Sequence, residues 1–450
     1  MRSIPYGWSI VAMLCAISTI SYVQRVNVTV VGDYLMRDLR IDQTRLGGLF
    51  TAFLLGYALF QFPAGLLTDR IGPRRMLAGA LLCWGGLTLL TALAEHLVLT
   101  PWFGVWNTLL VVRFLFGISA SPTYPAAARS ISRWIAPSRQ AGANALVIAG
   151  IAVGSALTPP ALAHLAVAVG WQTALLVSSL PAFLMALVWL WYSRDGSPSA
   201  LRQVVHLERT EAQKATARAL SPRQPEWNTR LLRDTNLWLL SLSYSLQGYI
   251  SYVFIYWFLL YLVQVRHFTL LEGSWLATMP WLLTLLTTPL GGGLSDVLVR
   301  RAGHPWGRRL VPLLALTLAG GLLMLGARCE RPYLAVVLLA VCEALVMSVE
   351  GAFWAAVTEI APARAGTAGG VLNMGGNLGG LLAPLVTPWV AATFGWIAAL
   401  DLAACVAILG GGLWLWVSPR AARHSLRLES NSLDLAASRQ DREVKGTSSL

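Results

Sequence analysis

Gly65-Leu66-Leu67-Thr68-Asp69-Arg70-Ile71-Gly72-Pro73-Arg74-Arg75 is the segment from which the architecture of this 450-residue chain is read. It sets one acid, three arginines and two glycines between apolar stretches near 45–67 and 76–95. Each stretch has the length of about 20 residues that one helical crossing of a bilayer core requires. The pattern recurs further on. Gly292-Gly293-Leu294-Ser295-Asp296 is followed by Arg300, Arg301, Gly303, Arg308 and Arg309, again at the end of an apolar stretch. Two loops of one type at matching places point to a chain built from two related halves.

Outward from these loops the chain is mostly apolar. Hydrophobic residues make up 56% of it and charged residues 12%, with a mean hydropathy of +0.60. That leaves too little polar surface to clothe a soluble globule of this size. Runs of crossing length fall near 8–31, 45–67, 76–95, 106–130, 139–163, 172–192, 237–264, 271–295, 309–327, 333–358, 366–392 and 396–418. The expected fold class is an all-α membrane protein with about twelve transmembrane helices in two six-helix halves. The halves are residues 1–192 and 237–418, joined by a polar linker at 193–236 and followed by a disordered, mixed-charge tail at 419–450.

The net charge of +13 resides largely in short loops, at Arg70, Arg74, Arg75, Arg133, Arg139, Arg300, Arg301, Arg308, Arg309 and Arg364, and in the linker and tail. All fall on one side of the expected membrane, which the positive-inside rule makes cytoplasmic together with both termini. Topology thus accounts for the charge, and no nucleic-acid partner is expected. The first apolar run has no small-residue cleavage pattern and should serve as its own insertion signal. The five cysteines show no paired spacing and no histidine has metal-ligand spacing, so neither a disulfide frame nor a metal or cofactor is expected. No nucleophile, base and orienting group recur at useful spacing in a loop, which argues against an enzyme.

Two charges conflict with their apolar surroundings. Arg25 lies inside the stretch from Trp8 to Val31 with no other charged residue nearer than Asp33, and Arg113 interrupts the run from Trp106 to Ser119. A charge at bilayer depth costs about 2.5–3.5 kcal/mol on insertion scales, and it is retained mainly where it faces a polar cavity, a partner or a ligand. Both arginines therefore point to a site for an anion.

The segment Gly65 to Arg75 matches, at every defined position, the loop signature G-x-x-x-D-R-x-G-x-R-R of the major facilitator superfamily. Within that superfamily the chain resembles the anion:cation symporters over most of residues 8–418. The resemblance rests on Tyr22-Val23-Gln24-Arg25-Val26-Asn27-Val28-Thr29, on Gly56-Tyr57 with Gln61-Phe62-Pro63, and on Arg113-Phe114-Leu115-Phe116-Gly117 with Pro122 and Pro125. It rests also on Gly370-Val371-Leu372-Asn373-Met374-Gly375-Gly376-Asn377-Leu378-Gly379-Gly380. The resemblance implies a carrier that binds a small organic anion centrally, between halves that rock around it. It assigns the substrate carboxylate to Arg25 and Arg113, whose guanidinium geometry allows paired hydrogen bonds. Tyr22 and Tyr57 would line the same cavity, and Asn373 would face it from the second half. Gln247 and Tyr252, in an aromatic-rich span, are further candidates for contacting substrate hydroxyls. Gly65, Asp69, Arg70, Gly72, Arg74, Arg75 and Asp296 form the conformational loop motifs.

The chain also departs from that family. Proton-coupled members usually have an acid immediately before the first arginine and a glutamate seven residues after the second; here those positions are Gln24 and Ala120. Neither side chain can exchange a proton. Coupling is then absent or relocated, and the relocation candidates are Glu350 and Glu343, two helical turns apart on roughly one face. Glu350 could exchange a proton, or pair with Arg25 or Arg113 when substrate is absent. Asp401 reads as a helix-interface residue and Glu359 as a complement to loop arginines.

The resulting expectation is a monomeric carrier in a plasma membrane, of the bacterial inner-membrane kind, moving a small organic anion with a proton as the candidate co-substrate. Its rivals are a proton-independent uniporter or exchanger, and a membrane sensor that binds without flux. Organophosphate:phosphate exchangers usually carry their second arginine in the seventh span, where this chain has none before Arg266.

Overall fold

The computed structural model describes residues 6–97, 100–135, 139–194, 233–303, 305–361 and 365–418, and every regular element among them is helical. Most of the expected linker, the whole expected tail, Arg364 and the side chain of Asp69 lie outside the described residues. Before residue 195 come α1 (Tyr6–Val30), α2 (Gly32–Asp38), α3 (Gln43–Ile71), α4 (Pro73–Ala92), α5 (Thr100–Phe103), α6 (Val105–Ala120), α7 (Thr123–Trp134), α8 (Gln140–Val169) and α9 (Trp171–Tyr192). After residue 232 come α10 (Thr235–Gln264), α11 (Leu270–Leu276), α12 (Met279–Ala302), α13 (Trp306–Arg328), α14 (Pro332–Ser348), α15 (Glu350–Ile360), α16 (Ala365–Phe394) and α17 (Trp396–Leu413).

Eleven helical stretches among the described residues are long and apolar enough to cross a membrane. The remaining expected span, near 45–67, is α3, whose 29 residues reach about 44 Å at 1.5 Å per residue. Three spans read as single helices are each broken in two. The break between α6 and α7 falls at Ser121–Pro122, and that between α11 and α12 precedes Pro280. Proline lacks the N–H that would continue a helix and is accommodated in its first turn. The third break, at Val349 between α14 and α15, has no proline; the chain there tightens to an Ala352 N–H to Val349 C=O bond of 3.0 Å.

Glycines set the closest helix seams. Gly150 and Gly154 of α8 lie against the Cys15 and Thr19 carbonyls of α1, Gly117 of α6 against the Phe53 carbonyl of α3, and Gly375 and Gly379 of α16 against the Ser241 and Ser245 carbonyls of α10. A side chain at any of these positions would overlap backbone, so the absence of one fixes how near the helices come. The glycine-rich run of α16 is therefore a packing seam. Gly117→Leu should prevent assembly of α3 against α6 and remove the monodisperse species from size-exclusion chromatography in detergent. Gly79→Leu, where nothing lies within 4 Å of the added carbon, should leave that peak unchanged.

The two similar loops also turn alike. Gly72 ends α3 at φ +91° and Gly303 ends α12 at φ +71°, a backbone region that glycine enters without steric cost. Around them Arg74 donates to the Leu190 carbonyl and its own carbonyl accepts from Trp189 Nε1 at 3.0 Å. In the second loop Arg308 donates to Asp296 at 2.8 Å, Ser295 at 3.0 Å and Glu359 at 2.6 Å, which gives Glu359 the arginine partner expected of it. Gly65 has open space beside it, and Arg70 and Arg75 are exposed. Asp401 pairs with Arg328 through both oxygens at 2.6 Å, joining α17 to α13 as an interface residue.

The face holding the starts of α1 and α10 is here the linker face, and the opposite one the far face. On the far face the first nine helices meet the last eight. Gln264 of α10 donates to Asp33 at 2.9 Å and accepts from Gln43 at 2.6 Å, while Phe50 stacks on Tyr256 at 4.6 Å and His164 meets the Trp275 ring at 6.1 Å. Toward the linker face Gly65 of α3, Gly142 of α8 and Gly293 of α12 have nothing within 4 Å of an added Cβ. The Gln264, Phe50 and His164 contacts close the far side between the two sets of helices.

Candidate anion-binding site

On the linker side of the far-face contacts, α1 delivers Arg25 to the boundary between the two sets of helices, where it meets Tyr252 of α10. Its side chain is 8% exposed, and no carboxylate accepts from it among the described residues. One terminal nitrogen donates to the Tyr22 hydroxyl at 3.2 Å and the other to the Tyr252 hydroxyl at 3.0 Å. The guanidinium carbon lies 5.2 Å from the Tyr22 ring, 4.9 Å from Phe53, 5.7 Å from Tyr57 and 5.3 Å from Tyr252. Each such contact contributes about 0.5–1 kcal/mol at an exposed site and more when desolvated. Four together are of the same order as the insertion cost of the charge, so Arg25 is stabilised by its aromatic cage.

Arg113 has no such compensation. It is 3% exposed, and its Nε and one terminal nitrogen have no hydrogen-bond partner. Among the described residues, only the Phe116 ring, at 5.4 Å, faces its charge. Phe116 packs on Phe53, which in turn faces Arg25. Tyr256 lies within electrostatic range of both guanidiniums, and its buried hydroxyl is also without a hydrogen-bond partner. Buried donors that the protein leaves unsatisfied, as on Arg113, suit an acceptor-only ligand.

Of the residues singled out in the sequence, Arg25, Tyr22, Tyr57 and Tyr252 are in contact. Gln247 is not with them: it is 3% exposed and donates to the Val346 carbonyl of α14 at 3.3 Å, five residues and about 140° around α10 from Tyr252. Asn373 stands one turn from Gly376, which packs on Tyr244 rather than on the arginine cage. Phe53 and Tyr256 were passed over in the sequence. Their signal was helical spacing, since each lies four residues from a named tyrosine, Tyr57 and Tyr252, on the same face.

The expected pairing of Glu350 with an arginine is not what the structure contains. Glu350 Oε1 accepts from Tyr244 at 2.6 Å and from Trp354 Nε1 at 2.9 Å. Tyr244 precedes Tyr252 by eight residues, about 12 Å along α10 toward the linker face, so Glu350 lies on the linker side of the arginine cage. Glu343 is fully buried beside the Ser251 hydroxyl, and among the described residues neither carboxylate oxygen makes a hydrogen bond of good geometry. An isosteric amide can occupy that space without the risk of an unpaired buried charge. Glu343→Gln should therefore keep or raise the melting temperature, measured by differential scanning fluorimetry in detergent. Gln24 is fully buried, donates to the Ser178 carbonyl and accepts from Thr88 at 2.7 Å. It ties α1 to α4 and α9, away from the arginine cage.

The helical, membrane-spanning architecture with two arginines in its apolar core is shared with a known family. Residues 13–384 match the family model described as Major Facilitator Superfamily, and the chain belongs to that superfamily. It is 28% identical over 84% of its length to 85% of a probable sulfoacetate transporter of Cupriavidus necator. It is 27% identical over 85% of its length to 85% of a probable galactarate/D-glucarate transporter of Bacillus subtilis, and 23% identical over 91% to 92% of a hexuronate transporter of the same organism. Among solved structures, a bacterial homolog of the human lysosomal transporter Spinster, in an inward-facing and unoccupied conformation, superposes with a TM-score of 0.75 at 16% identity, covering 94% of this chain and 98% of the other. The relatives are transporters rather than enzymes, and their substrates are organic anions, as the resemblance to the anion:cation symporters implied.

Proposed function

We propose that the protein is a secondary transporter of a small organic anion, a sugar acid or a short carboxylate or sulfonate, working by alternating access in a plasma membrane with both termini cytoplasmic. The observation that carries this reading is Arg113: a buried guanidinium with unpartnered donors, one aromatic neighbour away from a second, caged guanidinium. The anion takes the unpartnered donors of Arg113 and displaces Tyr22 or Tyr252 from Arg25. Support for the substrate class comes from relatives named for galactarate, glucarate, hexuronate and sulfoacetate. Support for the orientation comes from the loop arginines on the linker face, which makes that face cytoplasmic.

Proton coupling through Glu350 is part of the proposal. Its carboxylate is half-buried toward the linker face, whereas Gln24 and Ala120 offer no exchangeable group. The test is uptake of labelled galactarate, glucarate, glucuronate and sulfoacetate by the purified protein in proteoliposomes, with pH and potential controlled independently. Saturable uptake of one of these, stimulated by a proton gradient, is expected. Binding without flux would turn the reading to a sensor, and flux indifferent to the gradient would turn it to a uniporter or exchanger.

A further inference from the structure

Gln264, the last residue of α10, is gripped from two sides by the opposite set of helices. Its amide nitrogen donates to Asp33 of α2 at 2.9 Å, and its amide oxygen accepts from Gln43 of α3 at 2.6 Å. The partners dictate which way the amide points, since an ionised carboxylate only accepts and Gln264 must turn its nitrogen toward Asp33. Arg37, one turn further along α2, pairs with the other Asp33 oxygen at 2.8 Å and steadies that charge.

Both sides of this contact are braced from within their own set of helices. Next to Gln264, Arg266 donates to the Tyr261 hydroxyl at 2.8 Å and to the carbonyls of Gly326, Ala327 and Cys329 at 2.6, 3.0 and 2.6 Å, which ties the end of α10 to the end of α13. Across from it, Asp42 caps α3 by accepting from the Arg45 N–H at 2.7 Å, which fixes Gln43 in the first turn. The other far-side contacts are of a different kind. Phe50 on Tyr256, His164 beside Trp275, and Gly47 of α3, where the Pro384 carbonyl of α16 occupies the place of a side chain, are packing contacts. Gln264, Gln43 and Asp33 are only half-buried, so water can replace their bonds when the two sets of helices separate. A contact of that sort holds by a small margin and releases without stranding a buried polar group.

We infer that Gln264, seated between Asp33 and Gln43, is the clasp that holds the far side shut, and that its release opens that side. The inference rests on the alternating-access reading and adds to it the contact that sets the balance between the two states.

The experiment uses the full-length protein in lipid nanodiscs without substrate. Glu95 and Glu330, exposed on the far face just beyond α4 and α13, are each replaced by p-acetylphenylalanine and spin-labelled, and the distance between labels is read by double electron–electron resonance. Gln264→Leu, which keeps bulk and removes both bonds, is expected to move the population roughly ten-fold toward the longer distance, the weight of one hydrogen bond to a charged group. Gln264→Glu, which sets a second carboxylate against Asp33, should move it at least as far, and serves if the leucine variant fails to fold. Combining Asp33→Asn with Gln264→Glu returns one donor and one acceptor to the contact and is expected to restore the wild-type distribution. Single variants that keep the wild-type distribution overturn the inference. A combined variant that stays as open as Gln264→Glu overturns it too, because packing rather than pairing would then be moving the helices. No anion is present in this measurement, so a failure of the anion reading would appear in the uptake assay and leave these distance changes intact.

Discussion

Arg113→Gln is expected to abolish saturable anion uptake while leaving the protein at least as heat-stable as the wild type. Truncating one member of a buried, hydrogen-bonded charge pair costs about 2–5 kcal/mol of binding, which is at least about thirty-fold in affinity. In the empty carrier, however, the same guanidinium is buried with two nitrogens unpartnered, so removing it relieves a desolvation cost and breaks no bond that those nitrogens make. A residue kept for packing would behave the other way, losing stability and sparing uptake. The decisive measurement pairs scanning fluorimetry with substrate titration on one preparation, because a variant that binds normally, or that only unfolds, removes Arg113 from the site. Arg25→Gln should differ in kind: it empties a cage of four rings and two tyrosine hydroxyls, and so should lose both binding and stability.

The second large effect concerns energy coupling. With one proton moved per anion, a gradient of one pH unit supports about tenfold accumulation, since one unit corresponds to 1.36 kcal/mol. Glu350→Gln should reduce that proton-driven component to none while exchange of internal for external substrate continues. Glutamine keeps the acceptor that Tyr244 and Trp354 now use, so loss of coupling with exchange intact separates proton transfer from damage to the helix contacts. Gradient-driven accumulation that survives in the variant would move the coupling group elsewhere, with the enclosed Glu343 next in line.

Much of the fold was legible because membrane solvent imposes simple arithmetic. The repeated loops around Gly72 and Gly303, the apolar runs and the two isolated arginines could all be read without knowing a single contact. What escaped was depth and direction within helices. Glu350 and Glu343 share a face by spacing, yet one opens toward Tyr244 and the other is sealed beside Ser251, because neighbouring helices decide which turn is lined and which is covered. Gln247 looked as eligible as Tyr252, but 140° of rotation turns it to α14. The glycines of α16 were read as a family mark, while their physical work is to admit α10 at backbone distance. The break at Val349 carried no proline to announce it.

The bond from Arg25 to Tyr252 is the innermost link between the first nine helices and the last eight. A hydrogen bond to a charged group contributes about 1.5–3 kcal/mol, enough to bias a two-state equilibrium roughly ten- to a hundredfold. On the function proposed above, Tyr252 would act as a placeholder ligand carried by the protein itself, holding the unloaded molecule at rest until an incoming anion takes its seat and releases the latch.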